Sequence, residues 1–253
     1  MEHTPNTAGS LSSQSHHEQT RACPVTPRQD PGDDTHSCNV DYRREPFKVT
    51  WWGSHECPDL TKFPAVGDAE VSPVPLPPAL AAAWKQSSPL DHGCHASVRA
   101  SDRPGDRFPV LKVAHPNSHS VDLLEGEFNV LNSLRNRGLP VPEVDPRPIV
   151  DGGRIHGYRM SSLCKLGQGE LKARRDEIHG ALRQLHAAEV CHGDVNPGNV
   201  MKDGNGRIVL VDFGFAGRIG TVVPPSIPSW VYTGPVFAAE DDLTALDDLC
   251  LSS

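Results

Sequence analysis

The sequence has no surplus of basic residues, no closely spaced cysteine pair and no apolar run long enough to cross a membrane. Against 24 Lys and Arg stand 32 Asp and Glu, a formal net charge of −8, and the cations form no stripe. A surface that grips a phosphate backbone needs clustered Lys and Arg, so nucleic-acid binding is not expected. The seven cysteines, Cys23, Cys38, Cys57, Cys94, Cys164, Cys191 and Cys250, are odd in number and scattered. That is not the spacing of a disulfide framework or a zinc ribbon, and reduced thiols in a cytoplasmic or nuclear protein are the simplest expectation. The opening residues, Met1-Glu2-His3-Thr4-Pro5, are polar and acidic with no apolar core behind them. Neither a signal peptide nor a membrane partner is expected.

A chain of 253 residues with 37% hydrophobic content has room for one folded unit and an unstructured tail. Residues 1–75 are rich in Ser, Thr, Pro, His and Asp, with apolar residues too sparse to show a period, which predicts disorder. Within that stretch, Phe47-Lys48-Val49-Thr50-Trp51-Trp52 has the composition of a short strand, paired or docked on the folded part. His36, Cys38, His55, Glu56 and Cys57, with Cys23, invite a metal reading. Structural zinc sites set two to four residues between paired ligands, whereas these pairs are too close internally and too far from one another. The folded unit is placed at 76–253.

The chemistry concentrates in Val190-Cys191-His192-Gly193-Asp194-Val195-Asn196-Pro197-Gly198-Asn199-Val200 and, a short hairpin later, Asp212-Phe213-Gly214. A carboxylate on a rigid loop is what a general base needs to accept a hydroxyl proton beside a phosphate, and Asp194 fits. Asn199, one loop length on, and Asp212, after the next strand, supply an amide oxygen and a carboxylate suited to one magnesium-phosphate cluster. The order His-x-Asp, four residues, Asn, then Asp-Phe-Gly resembles the protein-kinase signature set. His-Gly-Asp with Asn-Pro-Gly-Asn is still more similar to the aminoglycoside phosphotransferase branch of the protein-kinase-like superfamily, and the whole looks most like its compact fungal members.

That resemblance, spanning about Leu90 to Leu249, directs attention upstream. A kinase carries three glycines over the nucleotide phosphates; aligned on Val98, only the middle one survives here as Gly93, with Asp91 and Ala96 in the flanking positions. Gly93 and Val98 would then be ATP-binding, although alone the segment reads as a polar turn between strands. Pro109 to Ala114 reads as a strand with Lys112 at its middle, either at a sheet edge with the ammonium reaching water or as the lysine that holds the α- and β-phosphates. Apolar residues at 121, 124, 128, 131 and 134 predict a helix over 121–136, with Glu127 at the rim of its apolar face. The resemblance makes Glu127 the partner that orients Lys112; a solvated glutamate is the alternative.

Further elements follow from pattern: a short helix at Pro78–Lys85 with proline in its first turn, a helix end at Gly138, strands at Arg147–Val150 and Ile155–Met160, a helix over Glu170–Glu189, and a hairpin around Asp203-Gly204-Asn205-Gly206. Residues 160–163 would form the hinge, and Gly214–Gly234 a short, proline-rich activation segment. Asp242 resembles the aspartate that accepts hydrogen bonds from a kinase catalytic loop, or is one carboxylate of an acidic helix start. The expected fold class is α+β, a bilobal protein-kinase-like fold with a β-rich N-lobe (76–162) and a shortened helical C-lobe (163–253) that ends naturally or by truncation. The implied function is transfer of the γ-phosphoryl of ATP, with Mg2+, to a hydroxyl of a protein or small molecule. The alternative is a pseudokinase acting as an interaction module, with a protein partner reached through the N-terminal region or the shortened C-lobe.

Overall fold

The computed structural model describes residues 21–22, 35–53, 56–229, 231–232 and 234–251. Strands β1 (Arg21–Ala22), β2 (Thr35–Tyr42), β3 (Glu45–Trp52) and β4 (Glu70–Pro73) form an antiparallel sheet in that order. β2 and β3 pair without interruption from Thr35↔Trp52 to Tyr42↔Glu45. Alternation buries Cys38 and Val40 on one face, where they meet Val49, Trp51, Phe63 and Val66 in a small core. Over residues 35–53 and 56–75 the expected disorder is therefore replaced by folded structure built on this sheet. The apolar residues are few, but a period of two collects them on one face, which a search for abundance misses. The strand expected at Phe47–Trp52 lies within β3. Of the weighed metal ligands, Cys23 and His55 lie outside the described residues, and His36 and Cys38 are buried on β2.

Helix α1 (Pro78–Lys85) begins with proline in its first turn, as expected. Then come β5 (Ser87–His92), β6 (Ala96–Ser101), β7 (Val110–Ala114), α2 (Ser118–Leu134), β8 (Ile149–Asp151) and β9 (Arg154–Met160). The five strands make an antiparallel sheet ordered β5-β6-β7-β9-β8. β7 is thus a central strand, and all five of its residues are buried. Leu111 and Val113 face Leu80, Ala83 and Trp84 of α1, while Val110 and Ala114 join the core that holds the apolar stripe of α2. The sheet-edge reading of Lys112 is corrected by this placement. α2 starts at the side chain of Asn117, which accepts from Ser120 N. It ends at Leu134, short of Gly138, because Arg135 turns to an extended ψ of 142° and Asn136 follows in the left-handed conformation at φ 62°.

The second half contains β10 (Cys164–Lys165), α3 (Gln168–Ala173), α4 (Arg175–Ala187), β11 (Val190–Cys191), β12 (Val200–Lys202), β13 (Ile208–Leu210), β14 (Gly217–Arg218) and α5 (Ala239–Leu251). β10, β12 and β13 form one small sheet, β11 and β14 another. The single helix expected over 170–189 is broken at Arg174, whose φ of −110° leaves the helical range and whose guanidinium reaches Gly206 O at 2.7 Å and Glu177 at 2.6 Å. Ile178, Leu182 and Leu185 of α4 share one core with Leu210, Phe213, Leu246 and the inner face of α2. Both halves therefore close on the same apolar interior, in an α+β arrangement with its strands concentrated in the first half. Among the described residues no helix is long and apolar enough to cross a membrane.

The N-terminal sheet is tied to the five-stranded sheet by Arg99 of β6. This side chain is fully buried. Its guanidinium lies 4.0 Å from the Trp84 ring centre, donates to Ser87 Oγ at 2.8 Å and Ser87 O at 2.9 Å, and pairs with the buried Asp41 of β2. Breaking a buried pair from one side leaves a charge without compensation. Asp41→Ala is expected to lower unfolding stability by about 3–5 kcal/mol in urea titrations, and Arg99→Met added to it should recover part of that loss.

Candidate active site

Three charged groups from three elements meet at the mouth of the shared core. Lys112 Nζ of β7 lies 2.8 Å from the carboxylate of Glu127 on α2 and 3.0 Å from Asp212 Oδ1, just beyond β13. Glu127 is buried, and Asp212 is half-exposed toward the cleft. Burial opposes the Lys112 ammonium, but Glu127 and Asp212 outweigh it and hold its pKa above the ordinary value. Asp212 is held below the usual carboxylate range, chiefly by Lys112. Burial pushes Glu127 up, against the pull of Lys112. The groups that hydrogen-bond to Glu127 are nonetheless donors, Lys112 Nζ, Phe213 N at 3.1 Å and the Tyr158 hydroxyl, while the Asp212 carboxylate adds to the upward push. A carboxylate accepts from all three, whereas a protonated acid would have to donate to one.

The facing loop is built around His192. Its Nδ1 accepts from Asp194 N at 3.2 Å, which leaves the proton on Nε2 to donate to Val211 O at 2.9 Å. This fully buried histidine thereby couples the loop to the residue before Asp212. Asp194 accepts from Asn199 Nδ2 on Oδ2 at 2.8 Å and from Asn196 Nδ2 on Oδ1 at 2.9 Å. With its nitrogen committed to Asp194, Asn199 keeps its side-chain oxygen for another partner. Asp242 of α5 accepts from His192 N, Gly193 N and His186 Nε2, each at 2.8 Å. Of the two readings of Asp242, the geometry selects the one that anchors the loop.

Lys112, Glu127 and Asp212 are thus brought together, and so are Asp194 and Asn199. Val98 pairs with Lys112 across β6 and β7 and shares its face of the sheet. Gly93 behaves differently. Its N–H donates to Ala96 O at 2.9 Å and its carbonyl accepts from His115 Nε2 at 3.0 Å, so its own backbone groups serve the hairpin. An added Cβ there would meet only Ala96 O, at 3.6 Å, an ordinary contact. Sequence reasoning missed Tyr158, which stands opposite Lys112 on β9 and reaches Glu127 only through sheet register. It also missed the contact of Asn196 with Asp194, for which the spacing of two residues was a usable signal.

Gly193 has φ +80°, and a Cβ there would run into the Tyr232 hydroxyl and approach Phe215 O at 2.6 Å. Tyr232 donates to that same carbonyl at 2.8 Å, locking the segment after Asp-Phe-Gly against the loop. Gly193→Ala combines a left-handed backbone with overpacking, and a loss of about 2–4 kcal/mol is expected in thermal or denaturant unfolding. Gly204→Ala, with nothing within 4 Å of an added Cβ, serves as the mild comparison.

Residues 154–219 match the family described as the phosphotransferase enzyme family. Over 190 residues the chain is 26% identical to the mitogen-activated protein kinase kinase kinase YODA of Arabidopsis thaliana, covering 69% of this chain and 20% of that protein. It is 26% identical to a probable serine/threonine-protein kinase BUD32 homolog of Archaeoglobus fulgidus, covering 55% of this chain and 73% of that protein. It is 31% identical to a 3-deoxy-D-manno-octulosonic acid kinase of Mannheimia succiniciproducens, covering 36% of this chain and 44% of that protein. The chain spans a third or less of the first several curated kinases that it matches. The matched family and the kinases among the relatives support placement of the chain in the protein-kinase-like superfamily.

Proposed function

We propose that this chain transfers the γ-phosphoryl group of ATP to a hydroxyl acceptor. The observation that carries the reading is the Lys112–Glu127–Asp212 ion cluster facing a loop that presents Asp194 and Asn199. Lys112 would release Asp212 and bind the nucleotide phosphates, with Glu127 keeping the ammonium in place. Asn199 and Asp212 would hold magnesium, which supplies charge neutralisation at the phosphates. The donor chemistry fits, because an amide oxygen and a carboxylate are hard oxygen donors and magnesium is commonly held by one or two protein oxygens together with substrate phosphates and water. Asp194, steadied on both oxygens by Asn196 and Asn199, retains lone pairs to position the acceptor hydroxyl and take its proton. Positioning and electrostatics would supply most of the rate.

The names of the relatives include a protein kinase and a sugar-acid kinase, so the acceptor is sought in both classes. ATP turnover with magnesium is measured for wild type, Asp194→Ala and Asp212→Asn, with pools of proteins and of small hydroxyl compounds. A fall of about 10²–10⁴-fold is expected in Asp194→Ala, and a comparable loss in Asp212→Asn; the pool that raises the wild-type rate names the acceptor class. Equal background in all three proteins would sink the phosphotransferase reading. Magnesium-dependent thermal stabilisation by ATP without turnover would instead support a nucleotide-binding interaction module.

A further inference from the structure

The hairpin joining β5 to β6 carries His92, Gly93, Cys94 and His95 where a kinase carries its phosphate-covering glycines. Here the tip is stapled. His115, which directly follows β7, donates from Nε2 to Gly93 O at 3.0 Å and from its backbone N–H to His95 O at 2.9 Å. The hairpin is therefore fixed to the strand that carries Lys112, and the backbone of Gly93 is committed on both sides. On this fixed frame His95 projects toward the cleft. Its ring meets His119 of α2 edge to face at 5.2 Å and Phe215, three residues after Asp212, at 6.4 Å. The ring is half-buried and lies within electrostatic reach of both Lys112 and Asp212. Among the described residues its nitrogens make no hydrogen bond, although both ends of the phosphate site surround it.

We propose that His95 is a ligand of the terminal phosphate of bound ATP, donating an imidazole N–H where a glycine-rich loop would offer backbone amides. The assignment rests on the phosphotransferase reading of the same cleft. It accounts for a loop that has kept one glycine of three and has used that glycine's hydrogen bonds internally. It also accounts for the staple, since one side chain must be held in place if it is to do the work of a loop that otherwise closes over its ligand. Burial, then His119 and His115, with a smaller push from Lys112, hold the His95 pKa below its ordinary value against the pull of Asp212. The ring is thus a neutral donor that does not repel Lys112.

The test is calorimetric titration of wild type, His95→Ala and His95→Gln with Mg-ATP and with Mg-ADP, each protein first shown to melt cooperatively. His95→Ala is expected to weaken ATP by about tenfold, as for one lost hydrogen bond to a charged group, and ADP by no more than about twofold. His95→Gln, which keeps an N–H donor, should recover part of the ATP affinity. Equal losses for the two nucleotides, or none, would overturn the assignment while leaving the phosphotransferase reading intact. ATP bound more tightly by His95→Ala would make the ring a plug of the site and likewise overturn it. Wild type that binds neither nucleotide would overturn both readings together.

Discussion

One ammonium in the middle of a buried strand governs the layout of this protein. Lys112 sits on β7, covered by α1 on one face and by the α2 core on the other, where an unpaired charge would be prohibitively costly. Its two carboxylate partners are 15 and 100 residues away in the chain. Glu127 fixes the rotation of α2 against the sheet, because only one helix face brings a carboxylate to Nζ. Asp212 fixes the approach of the second half. Phe213 N, bound to the same Glu127, commits the backbone after Asp212 as well. A buried ion cluster is weak evidence for stability, since apolar packing often does as well. Here one of the two carboxylates, Asp212, is half-exposed, which under the proposed function leaves room for a charged ligand to take its place beside Lys112.

A second carboxylate does for the loop what Glu127 does for the lysine. Asp242 is almost fully buried, yet three N–H donors converge on it. Two of these are consecutive backbone amides of the His192-Gly193 turn, which is possible because Gly193 takes φ +80°. Loop shape is thereby set from the helix behind it, leaving the side chains of Asp194 and Asn199 free to face forward. The tyrosine hydroxyl that crowds Gly193 closes the same turn from the other side. The arrangement is over-determined, as a loop must be if a carboxylate on it is to act at a defined distance from a phosphate.

The parts of the site legible in the sequence were those in which chemistry restricts residue type at a fixed spacing. Asp194, Asn199 and Asp212 fall in one order, and Lys112 and Glu127 were found because a strand and a helix of recognisable period had to carry them. Residues whose role depends on three-dimensional register left no such trace. Tyr158 meets Glu127 because β9 lies beside β7, and nothing in Arg154–Met160 announces that pairing. The sheet of residues 35–73 was missed beyond Phe47–Trp52 for a related reason: its core draws alternate residues from two strands, with Phe63 and Val66 beyond them, so the apolar residues stay sparse along the sequence. The break at Arg174 was equally hidden, since the apolar spacing of Leu171, Ile178, Leu182 and Leu185 continues across it.

That N-terminal sheet bears on the Lys112 region through β6. Val98 and Arg99 are neighbours on β6 and so point to opposite faces. Val98 stands beside Lys112 on the cleft side, while Arg99 turns back to Trp84, Ser87 and Asp41. Any displacement of β2 therefore acts on the guanidinium, and through one peptide unit on Val98 beside Lys112. An exposed surface pair would be too weak to carry such a constraint, being worth at most about 1 kcal/mol. A fully buried guanidinium held by four acceptor atoms does not slide, because Nε, Nη1 and Nη2 each donate to a fixed acceptor and breaking one of these bonds in the interior leaves a polar group unpaired. The desolvated Arg99 thus makes the N-terminal sheet part of the framework that holds β6, and with it the hairpin carrying His95, in place beside Lys112.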